Sequence, residues 1–443
     1  MKKVMPYKIR ISSNLVISIL IILYFIIRTH GIAGYLPSVW AIPLLLIFAF
    51  SILVLPKLPN KSLSQLVKES RWIILSLIVL IVCMFLQYGN FKLYSTFNYL
   101  VFSIPFYIIG YYWGIFGRDK YFKISEIGYF IFISLFLFSK LLQVDNFGTI
   151  GKETIGRLFY TPGGEANYNE IIFFWPYVAF VIITAISLLS NKYLISKNRT
   201  FLYVLSSICL ISILFSGVAA PIVLIVIAML VYYFNKSKSK GRIRLLLAIP
   251  GILLFSYLII YLLGSGIIGN FGTATSKAEG FLLFFESGYI FDDFILNEIT
   301  SGRWTAGMHS INQFLAAPLT GHGAFLEGIK GAMTNIDNFN TAAGGHSFVL
   351  DSLAFYGIWG ISLIMILIKF STDAIKYYKI ADPDEKKMAL IFASAIISLF
   401  ISNIMNSTFL FSSFDQFVFL CSGFFLGKYS ITRKHDKTAN INI

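Results

Sequence analysis

Long apolar runs separated by short basic connectors set the pattern of this chain. The runs fall at about residues 11–27, 36–55, 72–88, 97–116, 125–143, 170–190, 201–215, 218–234, 245–263, 347–368, 388–406 and 409–427. Each reaches, or nearly reaches, the ~20 residues with which a helix crosses ~30 Å of hydrocarbon. The pattern predicts an all-α polytopic membrane protein of about 12 transmembrane helices, a single membrane domain over residues 1–443. Two polar stretches interrupt the rhythm. A small loop covers 144–169, between the fifth and sixth runs, and a large one with short amphipathic helices covers 264–346, between the ninth and tenth.

Composition agrees: 57% of residues are hydrophobic and 13% charged, where a soluble domain carries about 25% charged. The net charge is +15. In a membrane chain such an excess reports orientation, because Lys and Arg concentrate in cytoplasmic segments. With the N-terminus inside, eight cations fall outside: Arg28, Lys92, Lys140, Lys152, Arg157, Lys277, Arg303 and Lys330. The other 28 of the 36 fall inside. That bias places both termini in the cytoplasm and both loops on the outer face of a multi-pass cytoplasmic (inner) membrane protein. No RNA- or DNA-binding pattern occurs, so nucleic acid is not an expected partner. Cys83, Cys209 and Cys421 all lie in apolar runs and read as buried hydrophobes, not disulfides or metal ligands. The first run lacks a small-residue cleavage site, so no cleavable signal peptide is expected. Neither a P-loop nor an acidic pair for a metal–nucleotide is present in the inner segments, which argues against ATP hydrolysis and cytoplasmic nucleotide sugars.

The large loop holds three basic residues, Lys277, Arg303 and Lys330, among seven acidic ones. Residues 280–296 are apolar, but Glu286, Asp292 and Asp293 make a full crossing costly; an interfacial or re-entrant helix is expected there. A second helix is expected after Ser301, whose hydroxyl can cap it, and it should end at Pro318. Trp304, Met308, Ile311 and Leu315 recur at helical spacing and should face membrane or bundle. Arg303, Gly307 and Ser310 form another stripe, small apart from the arginine, which leaves room beside it. Arg303 then stands at a helix N-terminus, where free N–H groups favour an anion and a guanidinium adds a bidentate grip on phosphate. The plainer alternative is an arginine that snorkels or pairs with Glu298.

In the small loop, Gly156-Arg157 offers a second cation. It is either a phosphate ligand or a partner of Glu153 or Glu165. Glu165 and Asn167 can hydrogen-bond sugar hydroxyls or cap the next span. Four of the five histidines, His30, His309, His322 and His346, are assigned outside. His346 sits where the loop enters the tenth run. A neutral imidazole there can take a proton from a hydroxyl; it can equally be a capping or merely polar histidine. Asp351 follows at five residues rather than four, so no helical His–Asp dyad is implied. No metal-ligand spacing links His309, His322 and His346.

Taken together, the order of parts resembles the O-antigen polymerase and O-antigen ligase superfamily (Wzy- and WaaL-like). Members pair about a dozen spans with a large outer loop late in the chain. An arginine-led stretch there runs through Pro-Leu-x-Gly-x-Gly to a histidine at the next span. The matching residues are Arg303, then Pro318-Leu319-Thr320-Gly321-His322-Gly323, then His346, with Gly357-Ile358-Trp359-Gly360 following. Upstream, Gly156-Arg157 with Asn167 looks like the family's earlier arginine–asparagine stretch. Ser347 stands where many members have Asn, and Ser216-Gly217 where Ser-Arg is usual.

The resemblance implies a GT-C-like helical fold and an inverting, metal-independent glycosyl transfer that needs no cofactor. Donor and acceptor would be polyprenyl (undecaprenyl) diphosphate-linked oligosaccharides delivered from membrane lipid. Arg157 and Arg303 would hold the diphosphate, and His346 would be the general base. The candidate substrate contacts are Glu165, Asn167, His322 and Ser310. A chain-length regulator and a flippase are the implied partners. The alternatives are a ligase that transfers polymer to lipid A-core and a lipid-linked sugar flippase. A flippase would more often carry charges along its spans and show paired halves, and this chain gathers its polar residues in one loop.

Overall fold

The computed structural model describes residues 12–29, 41–86, 91–141, 219–236, 303–321, 347–405 and 415–439, with a few isolated helical residues besides. Every element among them is helical. In chain order they are α1 (Ser13–Thr29), α2 (Ala41–Val54), α3 (Asn60–Glu69), α4 (Arg71–Leu86), α5 (Phe91–Ile115), α6 (Asp119–Leu141), α7 (Ala219–Lys236), α8 (Arg303–Ala316), α9 (Phe348–Tyr356), α10 (Ile361–Ile380), α11 (Pro383–Met405) and α12 (Asp415–Ala439). Among the described residues, two helical stretches are long and apolar enough to cross a membrane, Phe348–Ile380 and Glu385–Ile404; Ser13–Ile27, Ala41–Lys57 and Arg71–Phe85 are shorter apolar helices. The expected runs at 170–190, 201–215 and 245–263, the small loop and the helix at 280–296 lie outside the described residues, apart from isolated positions.

The tightest packing joins α5 to α12. Gly110 and Gly114 on one helix meet Gly423 and Gly427 on the other. A Cβ at Gly110 would lie 2.1 Å from the Leu420 carbonyl oxygen, and one at Gly423 would lie 2.1 Å from that of Tyr107. Two Gly-x-x-x-Gly faces thus bring backbones into direct contact, the device by which helices associate in lipid, where burying apolar surface gains nothing. Tyr107 pairs with Gly423 and Tyr111 with Gly427, so the two helices run parallel.

Aromatic rings close the flanks of this crossing. Phe122 stacks on Phe424 at 4.0 Å and Tyr129 on Phe417 at 4.4 Å; such pairs are worth about 0.5–1.5 kcal/mol beyond the area they bury. Phe25 meets Tyr129 at 4.7 Å. The Tyr121 hydroxyl donates to Ser12 Oγ at 2.9 Å, and Gly128 rests on Ile22, so α1 and α6 are parallel as well.

Two ion-pair clusters tie connectors together. Lys369 reaches Glu69 at 2.6 Å and also pairs with Asp373. Lys428 reaches Asp119 at 2.6 Å and Glu385 at 3.0 Å. Burial alone would raise the Glu69 carboxyl, but the Lys369 hydrogen bond and charge outweigh it and hold the group below its ordinary value. Burial would lower Lys428, and Asp119 and Glu385 carry it upward instead. Every member of both clusters falls in a segment the charge pattern assigns to the inside.

One expected span is not continuous. The tenth run forms α9, a 3-10 turn at Gly357–Gly360, and then α10. Gly357 takes φ +61°, which a side chain disfavours, and this is where the regular α-helix is interrupted.

Candidate functional site

Helix α8 is described from Arg303 onward and gives way to a turn at Pro318, where the proline implies an end. Met308 and Leu315 are exposed on one face. The stripe of small residues lies against α9 at Gly307 and Ser310. Gly307 lies against Leu350, whose Cδ1 would be 3.4 Å from a Cβ there. Ser310 is 1% exposed. Its hydroxyl lies 3.2 Å from the Ala306 carbonyl oxygen and 3.0 Å from Asp351 Oδ1, so one proton is shared between a helix carbonyl and a carboxylate. The small residues let α9 pack close.

Ser347 caps α9. Its backbone is extended, and its hydroxyl accepts from the Leu350 N–H at 3.1 Å, which satisfies one of the N–H groups a helix start leaves unpaired. The same hydroxyl approaches the Asn403 carbonyl oxygen of α11 at 3.5 Å. Asp351 Oδ2 in turn accepts from the Ser347 N–H at 3.4 Å, a long contact. Asp351 is buried and so bridges two elements. One oxygen holds Ser310 on α8 and the other holds the residue that follows His346.

A second joint lies one helix length away. Gly321 has φ +70°, and its missing Cβ would stand 2.2 Å from the Phe355 carbonyl oxygen; that of Gly357 would stand 2.6 Å from Pro318 O. The Ile358 N–H donates to Pro318 O at 2.8 Å. The Pro318–Gly321 and Gly357–Gly360 motifs, noted separately in the sequence, are two halves of one backbone lock. Leu319, Ile358 and Trp359 remain exposed around it.

The contacts follow a register: Gly307 with Leu350, Ser310 with Asp351, Pro318 with Ile358. Helices α8 and α9 therefore run in the same direction, and their first residues, Arg303 and Phe348, begin at the same end. Of the sequence-predicted site residues, Ser310 is described in full and Arg303 by its backbone. His346, Arg157, Glu165, Asn167 and His322 lie outside the described residues. His309 sits 3.2 Å from the Gln313 amide nitrogen on the same helix. No group of three His, Cys, Asp or Glu able to hold a metal ion occurs among the described residues.

Sequence reasoning passed over Asp351 because it was measured from His346. Measured from Ser347 it is four residues on, the spacing at which a side chain can reach back to the cap. Comparison with models of known protein families finds no match, and neither does comparison with curated proteins.

Proposed function

We propose that this chain is a glycosyltransferase of the outer face of the cytoplasmic membrane, which joins polyprenyl diphosphate-linked oligosaccharide repeat units into O-antigen or capsular polysaccharide. The observation that carries this reading is the α8–α9 joint. It seats the helix led by Arg303 beside the helix that follows His346, and their starts lie at one end.

Chemically, the acceptor sugar hydroxyl gives its proton to His346 as its oxygen attacks the anomeric carbon of the donor. The bond from that carbon to the diphosphate breaks with inversion. Arg303 and Arg157 hold the departing polyprenyl diphosphate and offset the charge it gains. Glu165, Asn167 and His322 contact the sugars. Ser310 has its hydroxyl committed to Asp351, so it serves the site through the scaffold.

The proposed setting is a twelve-span topology with both termini inside. Two features support it. The helices α5 and α12 cover the fourth and twelfth runs, and α1 and α6 the first and fifth; each pair runs parallel, as spans of like parity must. The ion pairs of Lys369 and Lys428 likewise link segments assigned to one side.

Glycan analysis of a deletion strain tests the assignment. Single repeat units on the acceptor, with long chains lost, are the expected result. Undecorated core with free lipid-linked polymer would overturn it in favour of a ligase. Unchanged polysaccharide with lipid-linked units trapped on the inner leaflet would favour a flippase.

A further inference from the structure

Asp351 stands between the two elements that the proposed reaction needs held in register. Its carboxylate is buried, 4% exposed, at the first turn of α9. Oδ1 accepts from Ser310 at 3.0 Å and Oδ2 from the Ser347 N–H at 3.4 Å. The Ser347 hydroxyl is fixed in turn by the Leu350 N–H and the Asn403 carbonyl. Ser347 is therefore held from three sides: by α8 through Asp351, by the α9 cap and by α11. Arg303 lies on α8 about two helical turns before Ser310.

We propose that Asp351 is a positioning residue, whose carboxylate clamps Ser347, the residue that follows His346 in the chain, to helix α8 and so fixes the start of α9 against the helix that carries Arg303. This rests on the glycosyltransferase reading above. A carboxylate suits the task because it accepts on both oxygens at once. Removing it leaves Ser310 facing a void and frees the first turn of α9 from α8. Substrate binding, dominated by the diphosphate, should survive; alignment of the hydroxyl oxygen with the anomeric carbon should not. Misplacement of about 1 Å is enough to cost on the order of a hundredfold in rate.

The test uses the full chain, purified and reconstituted in liposomes, and supplied with the lipid-linked single repeat extracted from a deletion strain. Asp351→Ala and Ser310→Ala should each lower kcat by about ten- to a hundredfold and leave KM within about a factor of two, after correction for folded protein by gel filtration and thermal unfolding. The double variant should fall no further than the weaker single variant, because both remove one link. Asp351→Asn, which keeps an acceptor for Ser310, should recover most of the rate. Full kcat in Asp351→Ala, additive losses in the double variant, or a raised KM with unchanged kcat would each overturn the proposal. His346→Ala runs alongside. If it stays active, the underlying reaction scheme fails whatever Asp351 does; if it is dead while Asp351→Ala is active, only this inference fails.

Discussion

Replacing Gly423 by alanine is the sharpest probe of how this bundle is held together. The added Cβ would lie 2.1 Å from the Tyr107 carbonyl oxygen and 2.9 Å from the Tyr111 nitrogen. Both are backbone atoms inside a helix, so no side chain can swing away. An ordinary contact needs about 3.4 Å, so the helices must part by roughly 1 Å along a face where four glycines meet. Overpacking of this kind costs about 1–3 kcal/mol. Alanine returns about 1 kcal/mol through its better helix propensity, which leaves a net loss of up to about 2 kcal/mol. Gly307→Ala is the matched control. Its Cβ would meet only the Leu350 Cδ1 at 3.4 Å, so the propensity gain should dominate and stability should hold or rise by up to about 1 kcal/mol. Thermal unfolding of both variants in one detergent, followed by intrinsic tryptophan fluorescence, gives the comparison. If Gly423→Ala unfolds at or above the wild-type midpoint, the glycine crossing does not carry the packing assigned to it.

Arg303→Ala should abolish long polysaccharide chains while the protein still reaches the membrane, read by glycan gels beside immunoblots of membrane fractions; normal chain length would remove its role. His346→Ala should do the same, and wild-type activity would dismiss it as the base. Chelators should leave purified enzyme active, and inhibition reversed by added zinc would revive a metal site. The Glu69–Lys369 tie should depend on pH. Because the folded carboxyl titrates below its ordinary 4.5, its contribution is complete above that value and fades as pH falls through the lower folded value. Glu69→Gln should therefore flatten the acid limb of the stability curve, and an unchanged limb would argue against it.

Much of the helical layout was legible because hydropathy belongs to each residue alone. The apolar runs put α1, α2, α4 to α7 and α11 within about six residues of their bounds, whereas α10 and α12 continue 12 residues past the ends of their runs. Partner choice is a property of two residues at once, and there the pattern was silent. Gly110-x-x-x-Gly114 and Gly423-x-x-x-Gly427 each stand in plain view, yet nothing in either states that it meets the other. The same limit explains Gly307 and Ser310. Small side chains imply close approach of something, and the sequence does not say whether that is a ligand or helix α9. The break at Gly357 was hidden for another reason: its apolar neighbours continue the hydropathy signal straight across a turn set by backbone dihedrals.

The glycine crossing also dictates a timetable. Helix α5 ends at Ile115 and its mate begins at Asp415, roughly 300 residues later. At ~5–20 residues per second, the first groove waits on the order of 15 to 60 s during synthesis before the second arrives to fill it. Whatever shields that groove in the meantime, whether lipid, a chaperone or a temporary neighbour, must bind weakly enough to yield when α12 arrives.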